Sequence, residues 1–246
     1  MSTTTREDPL LHLLPWDTKF LGFGTGQLTA HGLSAAGLHT LLQTARRRHW
    51  RLLYWAVDPR DVVSVASAQQ QGAFLADEKV IYQYSVPVQV PDDTLSAGVV
   101  PLIHLTPAVV QLAQLSGEFS RFRRDPNFAA GVFEALYAQW IANAIAGANG
   151  QQAYGHVGIS AAAPAGLVTL AYTLPNAAIG LLAVQLSARG QGIGNQLLAA
   201  CYRQLIKRQI PVLTVTTQAA NTVACAFYEQ RGFVEVKRQY QFHLWL

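Results

Sequence analysis

The sequence has 246 residues, of which half are apolar and 13% are charged, enough to bury the core of one large domain or of two small ones. Its 18 basic and 14 acidic residues leave a formal charge of +4, an excess too small to predict a nucleic-acid partner. No run of about 18 apolar residues predicts a membrane-spanning helix, and the first ten residues lack the apolar core of a secretory signal, so we expect a cytoplasmic protein.

In chain order, we predict a smaller α/β domain over residues 1–90, a linker over residues 91–98 and a larger α/β domain over residues 99–246. The linker prediction rests on the segment SVPVQVPDDTLSAG, which combines prolines, a glycine and two acidic residues. Such a composition is typical of a connection between two packed units.

The first domain repeats the plan of the second in a weaker form. With a shift of 160 residues and no gap, RLLYWAVDPRDVVSVASAQQQGAF aligns with PVLTVTTQAANTVACAFYEQRGFV, and Gly72 falls on Gly232. This self-similarity predicts an internal duplication. Because few residues are identical, convergence on the same strand–helix–strand pattern stays open as the alternative.

The start of the second domain combines a basic aromatic segment with a helix. GEFSRFRRDPNF holds three phenylalanines and three arginines, Arg121, Arg123 and Arg124, a mixture that can grip a phosphate and stack on a ring. A surface loop anchored by its aromatic side chains explains the same composition. Residues 133–147 follow with helical periodicity.

The rest of the second domain predicts a sheet with a glycine turn in its middle. AYGHVGISAA and GLVTLAYTL form a hairpin-like pair, and AAIGLLAVQL is a third strand that ends at the turn SARGQGIGN. An apolar helix over residues 193–208 follows, VLTVTT is a buried strand, Asn221 caps the next helix and Gly232 ends it. FVEVKRQYQFHLWL closes the sheet.

Charge and cysteine placement narrow the kind of site. From Ala135 to Tyr228 there is no Asp or Glu, whereas four cations fall in that window, so we expect an anionic ligand there. Cys201 and Cys225 both lie in apolar helical patterns, where a buried thiol is commoner than a disulfide or a metal ligand. We predict no metal site.

The glycine turn opens a helix, and the main-chain amides at a helix N-terminus bind phosphate groups. No Lys-Ser or Lys-Thr follows the last glycine, which excludes a P-loop. The third glycine comes one position early for a dinucleotide fingerprint, and no acidic residue follows about 20 residues later to hold a ribose. Both nucleotide motifs are therefore excluded.

One motif does fit the turn, namely Arg189-x-x-Gly192-x-Gly194 directly after an apolar strand. It resembles the pyrophosphate-binding signature of the GCN5-related N-acetyltransferase (GNAT) superfamily. The downstream segment NTVACAFYEQRGF resembles a second segment of that superfamily, with matches at Asn221, Ala224, Tyr228, Gly232 and Phe233. The resemblance covers residues 151–246 and departs from the family at Leu186, where many members carry proline.

The resemblance implies a GNAT fold, with a mixed, mostly antiparallel, twisted sheet flanked by helices, and acetyl-CoA as the acetyl donor. The first domain is then a degenerate GNAT-like copy, because Thr29, Ser34, Asp61 and Ala68 stand opposite the motif residues. The turn residues implied to hold the cofactor diphosphate are Arg189, Gly190, Gln191, Gly192, Ile193, Gly194 and Asn195.

The resemblance also implies roles near the thioester. The amides of Leu182, Ala183 and Val184 meet the acetyl carbonyl and the pantetheine arm, Asn221 bonds to that arm, and Ala224 leaves space for it. Tyr228 stands near the sulfur as the general acid. For the general base we consider a water chain or His156, the only histidine in the acid-free window.

Pieces spread over most of the chain, among them LPWDTKFLGFGTGQL, SRFR and YAQWIANAIAG, resemble the bacterial acetyltransferases that act on TDP-4-amino-4,6-dideoxyhexoses. This resemblance implies an amino-sugar nucleotide as acceptor and a role in surface polysaccharide synthesis, with Arg121, Arg123, Arg124 and His156 as acceptor-binding candidates. Another small amine, a protein N-terminus, and a non-catalytic acetyl-CoA sensor stay open. The sequence leaves the oligomeric state open, a homodimer included.

Overall fold

The computed structural model describes residues 9–87, 98–157 and 163–246. The chain forms two compact units, Met1–Lys79 with Arg238–Leu246, and Val80–Lys237. The first unit thus ends earlier than the boundary predicted at residue 90 and also takes in the end of the chain. Apart from Gly98, the predicted linker lies outside the described residues.

The first unit is a small sheet with helices. Its elements are β1 (Leu11–Leu13), α1 (Pro15–Leu21), β2 (Gly24–Leu28), α2 (Ala35–Arg47), β3 (Trp50–Val57) and α3 (Val62–Gln70). The strands β4 (Phe74–Ser85) and β10 (Val234–Trp245) contribute residues to both units. β2 runs parallel to β3, and β1 and β10 pair antiparallel with β2 and β3. The amphipathic α2 buries its leucines against Leu53, Trp55 and Phe242.

The second unit carries a larger sheet in the order β9-β8-β7-β6-β5. Its elements are β5 (Val99–Pro101), α4 (Pro107–Ser116), α5 (Arg121–Arg124), α6 (Val132–Ile145), β6 (Gln151–His156), β7 (Gly166–Thr173), β8 (Asn176–Val184), α7 (Ile193–Lys207), β9 (Val212–Gln218) and α8 (Thr222–Glu229). β8 and β9 are parallel, and the other pairs are antiparallel.

The core of the second unit lies between α7 and the sheet. Ile193, Leu197 and Leu205 of α7 pack against strand residues such as Val168 and Ile179. Cys201 is fully buried in this cluster, as predicted, whereas Cys225 is only half-buried beside it. The segment predicted as a basic loop instead forms the helical turn α5, because the amides of Arg123 and Arg124 bond to the Ser120 carbonyl and Phe122 is buried.

The shift of 160 residues seen in the sequence holds in the structure. β4 and β10 have identical lengths at that offset, and Asp61 and Asn221 both cap the following helix through a side-chain oxygen. Gly72 and Gly232 both have positive φ, at 70° and 80°. Two residues other than glycine repeat the same left-handed conformation after α2 and α7, His49 at φ 58° and Gln209 at φ 56°. The repeat therefore extends to backbone details that composition alone does not dictate.

No helix among residues 9–87, 98–157 and 163–246 is long and apolar enough to cross a membrane.

Candidate functional site

A cleft of about 610 Å³ opens in the second unit. Its walls come from the end of β8, the glycine turn and first residues of α7, one side of α8, and the segment between α4 and α5. Segments far apart in sequence thus converge on one hollow of the size expected for a small-molecule site.

The end of β8 separates from β9 and leaves an open strand edge. β8 pairs with β9 only over Asn176–Ile179. On its other side the register with β7 shifts between Val168 and Leu170, which marks a β-bulge. The Oγ1 atom of the buried Thr169 accepts a hydrogen bond of 2.8 Å from the Leu181 amide. The bulge bends β8 away from its parallel neighbour.

The direction of the amides along this edge follows from strand alternation. Leu181 donates to Thr169, and the Gln185 amide donates to the Ala165 carbonyl at 2.8 Å, so both point toward β7. Because successive amides point to opposite edges of a strand, those of Leu182 and Val184 face the gap beside β9. The Ala183 amide faces β7, so of the three predicted donors two are directed into the opening.

The glycine turn presents unbonded amides at the start of α7. Gly190 and Gly192 have φ of 78° and 80°, values that favour glycine. Among the described residues, no main-chain acceptor is found for the amides of residues 190–194, whereas the Asn195 amide bonds to the Gly192 carbonyl at 2.9 Å. Five successive donors thus lie at the positive end of the helix dipole.

Arg231 adds positive charge to the same wall, and sequence analysis missed it. Its guanidinium stacks on the ring of Phe227, 3.8 Å from the centroid, and its Nε donates to Asn195 Oδ1 at 2.5 Å. Burial lowers the pKa of Arg231, yet an arginine stays charged at neutral pH. Arg231 directly precedes Gly232 in the motif, where its sequence position alone did not indicate that it lines the cleft.

Tyr228 lies at the inner end of the cleft. It is 4% exposed, and its ring packs against Phe227 and Phe233. No hydrogen bond to its hydroxyl is found within the described ranges, so the alternative of a tyrosine tied to the backbone is not what the structure has. Burial, with smaller contributions from the neighbouring Cys201, Tyr202 and Cys225, raises the pKa of Tyr228 above its ordinary value. The phenol is therefore protonated at neutral pH.

The first turn of α8 brings two further motif residues to the cleft. Asn221 Oδ1 accepts from the Ala224 amide at 3.1 Å and caps the helix, which leaves its amide nitrogen to donate to a ligand. Both residues line the cleft. The half-buried Ala224 has no side chain beyond Cβ and so leaves room for a chain-like ligand.

The family model described as the Acetyltransferase (GNAT) family matches residues 116–233, which include every wall of this cleft except Leu115. The dTDP-fucosamine acetyltransferase of Escherichia coli is 31% identical to this chain over 223 residues, which cover 89% of this chain and 91% of that protein. This chain belongs to the GNAT family. The family resemblance inferred from the sequence is thereby confirmed.

Two further relatives of this GNAT protein bear on its fold and class. The spore coat polysaccharide biosynthesis protein SpsD of Bacillus subtilis is 26% identical over 140 residues, which cover 57% of this chain and 47% of SpsD. A tandem GNAT protein from the clavulanic acid biosynthesis pathway, solved without acetyl-CoA, superposes with a TM-score of 0.54 at 19% identity and covers 89% of this chain and 74% of that one. The predicted GNAT fold is confirmed, with its mixed, mostly antiparallel sheet flanked by helices.

As a GNAT enzyme the protein transfers acetyl groups from acetyl-CoA, and the residues of the cleft fit that cofactor. The five unbonded amides of residues 190–194 and the guanidinium of Arg231 suit a diphosphate. The open edge of β8 offers donors to the amides and carbonyls of a pantetheine arm. When bound, acetyl-CoA supplies an acetyl group activated as a thioester.

The structure gathers nearly all the residues implied by the GNAT motifs. Of the thirteen cofactor and catalytic candidates, twelve line the cleft, and Gln191 alone does not. They are Leu182, Ala183, Val184, Arg189, Gly190, Gly192, Ile193, Gly194, Asn195, Asn221, Ala224 and Tyr228. Gln191 is exposed on the turn, and its side chain bonds to the Ser187 carbonyl.

The acceptor-binding candidates lie outside this set. Arg123 forms an ion pair of 2.8 Å with Glu134, and the guanidinium of Arg121 lies over the Phe122 ring. Arg124 is exposed on α5. His156 is half-buried on β6, with its Nδ1 lacking a partner within the described part of the chain. None of the four lines the cleft.

The segment between α4 and α5 supplies a wall that the sequence analysis did not predict. Leu115, Ser116, Glu118 and Phe119 line the cleft there. Attention to the arginines of GEFSRFRRDPNF had passed over the acidic and aromatic residues at its start. The one available signal was Glu118 itself, an acid shortly before the acid-free window.

Proposed function

We propose that this enzyme transfers acetyl from acetyl-CoA to the amino group of a nucleotide-linked amino sugar of the TDP-4-amino-4,6-dideoxyhexose type, for surface polysaccharide synthesis. The observation that carries the proposal is the extent of the match to the E. coli dTDP-fucosamine acetyltransferase. A likeness limited to the cofactor motifs would cover only part of the second unit. This match covers 89% of the chain, including residues outside the cofactor cleft.

The residues of the cleft support a direct transfer. Amides of residues 190–194 and the side chains of Arg189 and Arg231 hold the diphosphate, and the amide of Asn221 Nδ2 bonds to the pantetheine arm. Amides of Leu182 and Val184 stabilise negative charge on the acetyl oxygen as the amine attacks. Tyr228 donates its hydroxyl proton to the departing sulfur.

A second step of support concerns the acceptor. The exposed Arg124 stands on α5, one turn from the α4–α5 segment that lines the cleft. A guanidinium there suits the diphosphate of a sugar nucleotide. Arg123 is already paired with Glu134, so Arg124 is the better candidate of the two.

A panel of acceptors tests the proposal. The enzyme is mixed with acetyl-CoA and, in separate reactions, with TDP-linked 4-amino and 3-amino sugars, free amino sugars, polyamines and peptides with free N-termini, while release of free thiol is followed. We expect the highest kcat/KM with a TDP-linked 4-amino sugar. A higher value with a peptide or a simple amine would overturn the choice of acceptor, and tight acetyl-CoA binding without any turnover would favour a sensor.

A further inference from the structure

The cleft contains one acidic residue among its described lining residues, Glu118. It follows α4 at the turn between α4 and α5, in a part of the sequence to which neither the family motifs nor the charge window drew attention. The strands that form the cleft contain no acidic residue, because residues 135–228 lack Asp and Glu altogether. A carboxylate that serves the reaction therefore has to come from another element.

The local structure holds Glu118 in place at the cleft. The Ser120 amide donates to the Gly117 carbonyl at 2.8 Å, which closes a turn with Glu118 and Phe119 at its centre. Gly117 is pressed against α6, since a β-carbon there would lie 2.0 Å from the Tyr137 ring. Ser120 is buried on the other side of the turn. The two central side chains are thus directed outward, where both line the cleft.

Glu118 is exposed and has no hydrogen-bond or ion-pair partner within the described part of the chain. The nearby acid Glu134 is, in contrast, paired with Arg123. The other charged residues that line the cleft, Arg189 and Arg231, belong to the glycine turn and to the end of α8. The cleft therefore has cationic groups where it binds phosphate and a single free carboxylate on the α4–α5 wall.

We propose that Glu118 binds the ammonium group of the acceptor and accepts its proton as the general base of the acetyl transfer. The inference rests on the proposed transfer to an amine. Glu118 takes one proton from the ammonium, and the amine nitrogen forms a bond to the acetyl carbonyl carbon. The carbon–sulfur bond then breaks, Tyr228 Oη gives its proton to the sulfur, and the nitrogen loses its second proton to water, which re-protonates Tyr228. The products are the amide and free CoA, with Glu118 returning its proton to solvent.

Two properties distinguish this assignment from a merely structural role. A base is needed because an alkylammonium is mostly protonated at neutral pH and only the free amine attacks. A carboxylate that contacts the ammonium also favours an amino sugar over the same sugar with a hydroxyl group. His156, the base considered from the sequence, does not line the cleft.

Glu118→Gln tests the proposal, with Glu235→Gln as the matched control, since Glu235 is exposed on β10 and does not line the cleft. We expect kcat of the Glu118 variant to fall by about 10²-fold or more near neutral pH. The deficit should shrink as the pH rises toward the pKa of the acceptor amine, because more free amine is then present. The control should keep the wild-type rate and pH profile.

A binding measurement separates contact from turnover. In the presence of CoA, the wild type should bind the amino-sugar nucleotide about tenfold or more tightly than its hydroxyl counterpart, a preference of about 1.4 kcal/mol. Glu118→Gln should abolish that preference, and Glu235→Gln should retain it. Acetyl-CoA affinity by calorimetry should be the same in all three proteins.

The outcomes distinguish this proposal from the proposed acceptor. If another amine proves to be the substrate, the acceptor assignment fails, and the same two variants test Glu118 on that amine. A Glu118→Gln enzyme with wild-type kcat, pH profile and amine preference overturns the role of Glu118 alone. Weaker acetyl-CoA binding in this variant would instead place Glu118 in the cofactor site and overturn its role as base. A wild type that acetylates no amine overturns both.

Discussion

A β-carbon added to Gly194 would lie 2.8 Å from Cε2 of Phe227. The start of α7 and the side of α8 therefore meet at a distance that only glycine permits. Phe227 has little freedom to move, because the guanidinium of Arg231 lies 3.8 Å from its ring centroid. This contact sets the width of the cleft next to the unbonded amides.

We predict that Gly194→Ala weakens acetyl-CoA binding. The added methyl group displaces the Phe227 ring toward the cleft or separates α7 from α8. The Kd measured by calorimetry should rise about tenfold, which corresponds to about 1.4 kcal/mol. Gly22→Ala is the control, because Gly22 has φ 77° with open space around it and lies in the first unit. It should lower Tm through backbone strain and leave the Kd unchanged; equal Kd values for Gly194→Ala and wild type would contradict the prediction.

We predict that Tyr228→Phe lowers kcat by about 10²-fold or more while the acetyl-CoA Kd stays near the wild-type value, since removal of a general acid affects the chemical step. Tyr202→Phe is the control, because Tyr202 packs against the same core cluster but does not line the cleft. Steady-state kinetics and calorimetry decide between them. Because the pKa of Tyr228 is raised, wild-type kcat should show no loss from its deprotonation up to about pH 10, the usual tyrosine pKa.

Arg231 is expected to contribute to cofactor affinity through both its charge and its planar shape. Arg231→Gln should raise the acetyl-CoA Kd, with a larger effect at low ionic strength, because the lost contact is to a phosphate. Arg231→Lys keeps the charge but loses the stacking on Phe227 and the bond to Asn195, so it should fall between the two. A lysine variant with the wild-type Kd would show that charge alone matters there.

The repeated helix caps permit a comparison within one molecule. Asn221→Ala and Asp61→Ala each remove a side-chain acceptor from a helix N-terminus and should each destabilise the protein by about 1 kcal/mol in denaturant unfolding. Only Asn221 lines the cleft, so only its variant should also weaken acetyl-CoA binding. A similar loss of affinity in the Asp61 variant would contradict the assignment of the two halves.

Asp61 also predicts a pH dependence of stability. Hydrogen bonds from the amides of Gly32, at 2.7 Å, and Ser64, at 3.0 Å, lower the pKa of its carboxyl. Because the pKa is lower in the folded state, the stabilisation is present above the unfolded value of about 3.9 and is lost as the pH falls below it. The difference in Tm between wild type and Asp61→Asn should therefore be constant near neutral pH and shrink below about pH 4. A difference that is the same at both pH values would rule out the charged carboxylate as its source.

Most of the second unit could be predicted from the sequence because its signals are local. Apolar periodicity marked β8 and α7, and single residues such as Asn221 and Gly232 marked where α8 begins and ends. The repeat at 160 residues was visible for the same reason, since turn and cap residues carry their conformational preference wherever they occur. The basic segment was mistaken for a loop because the burial of Phe122 depends on its neighbours in space.

The sequence by itself determined the family, the glycine turn and the residues of α8, because each is a short pattern of conformational and chemical preferences. Only the tertiary structure decided that Thr169 takes the Leu181 amide and turns two other amides of β8 into the gap, that Arg231 stacks beside the turn, and that Glu118 enters the cleft. These features depend on contacts between segments distant in the chain. Their energy comes from packing and hydrogen bonds that form only when those segments meet, so no local pattern records them.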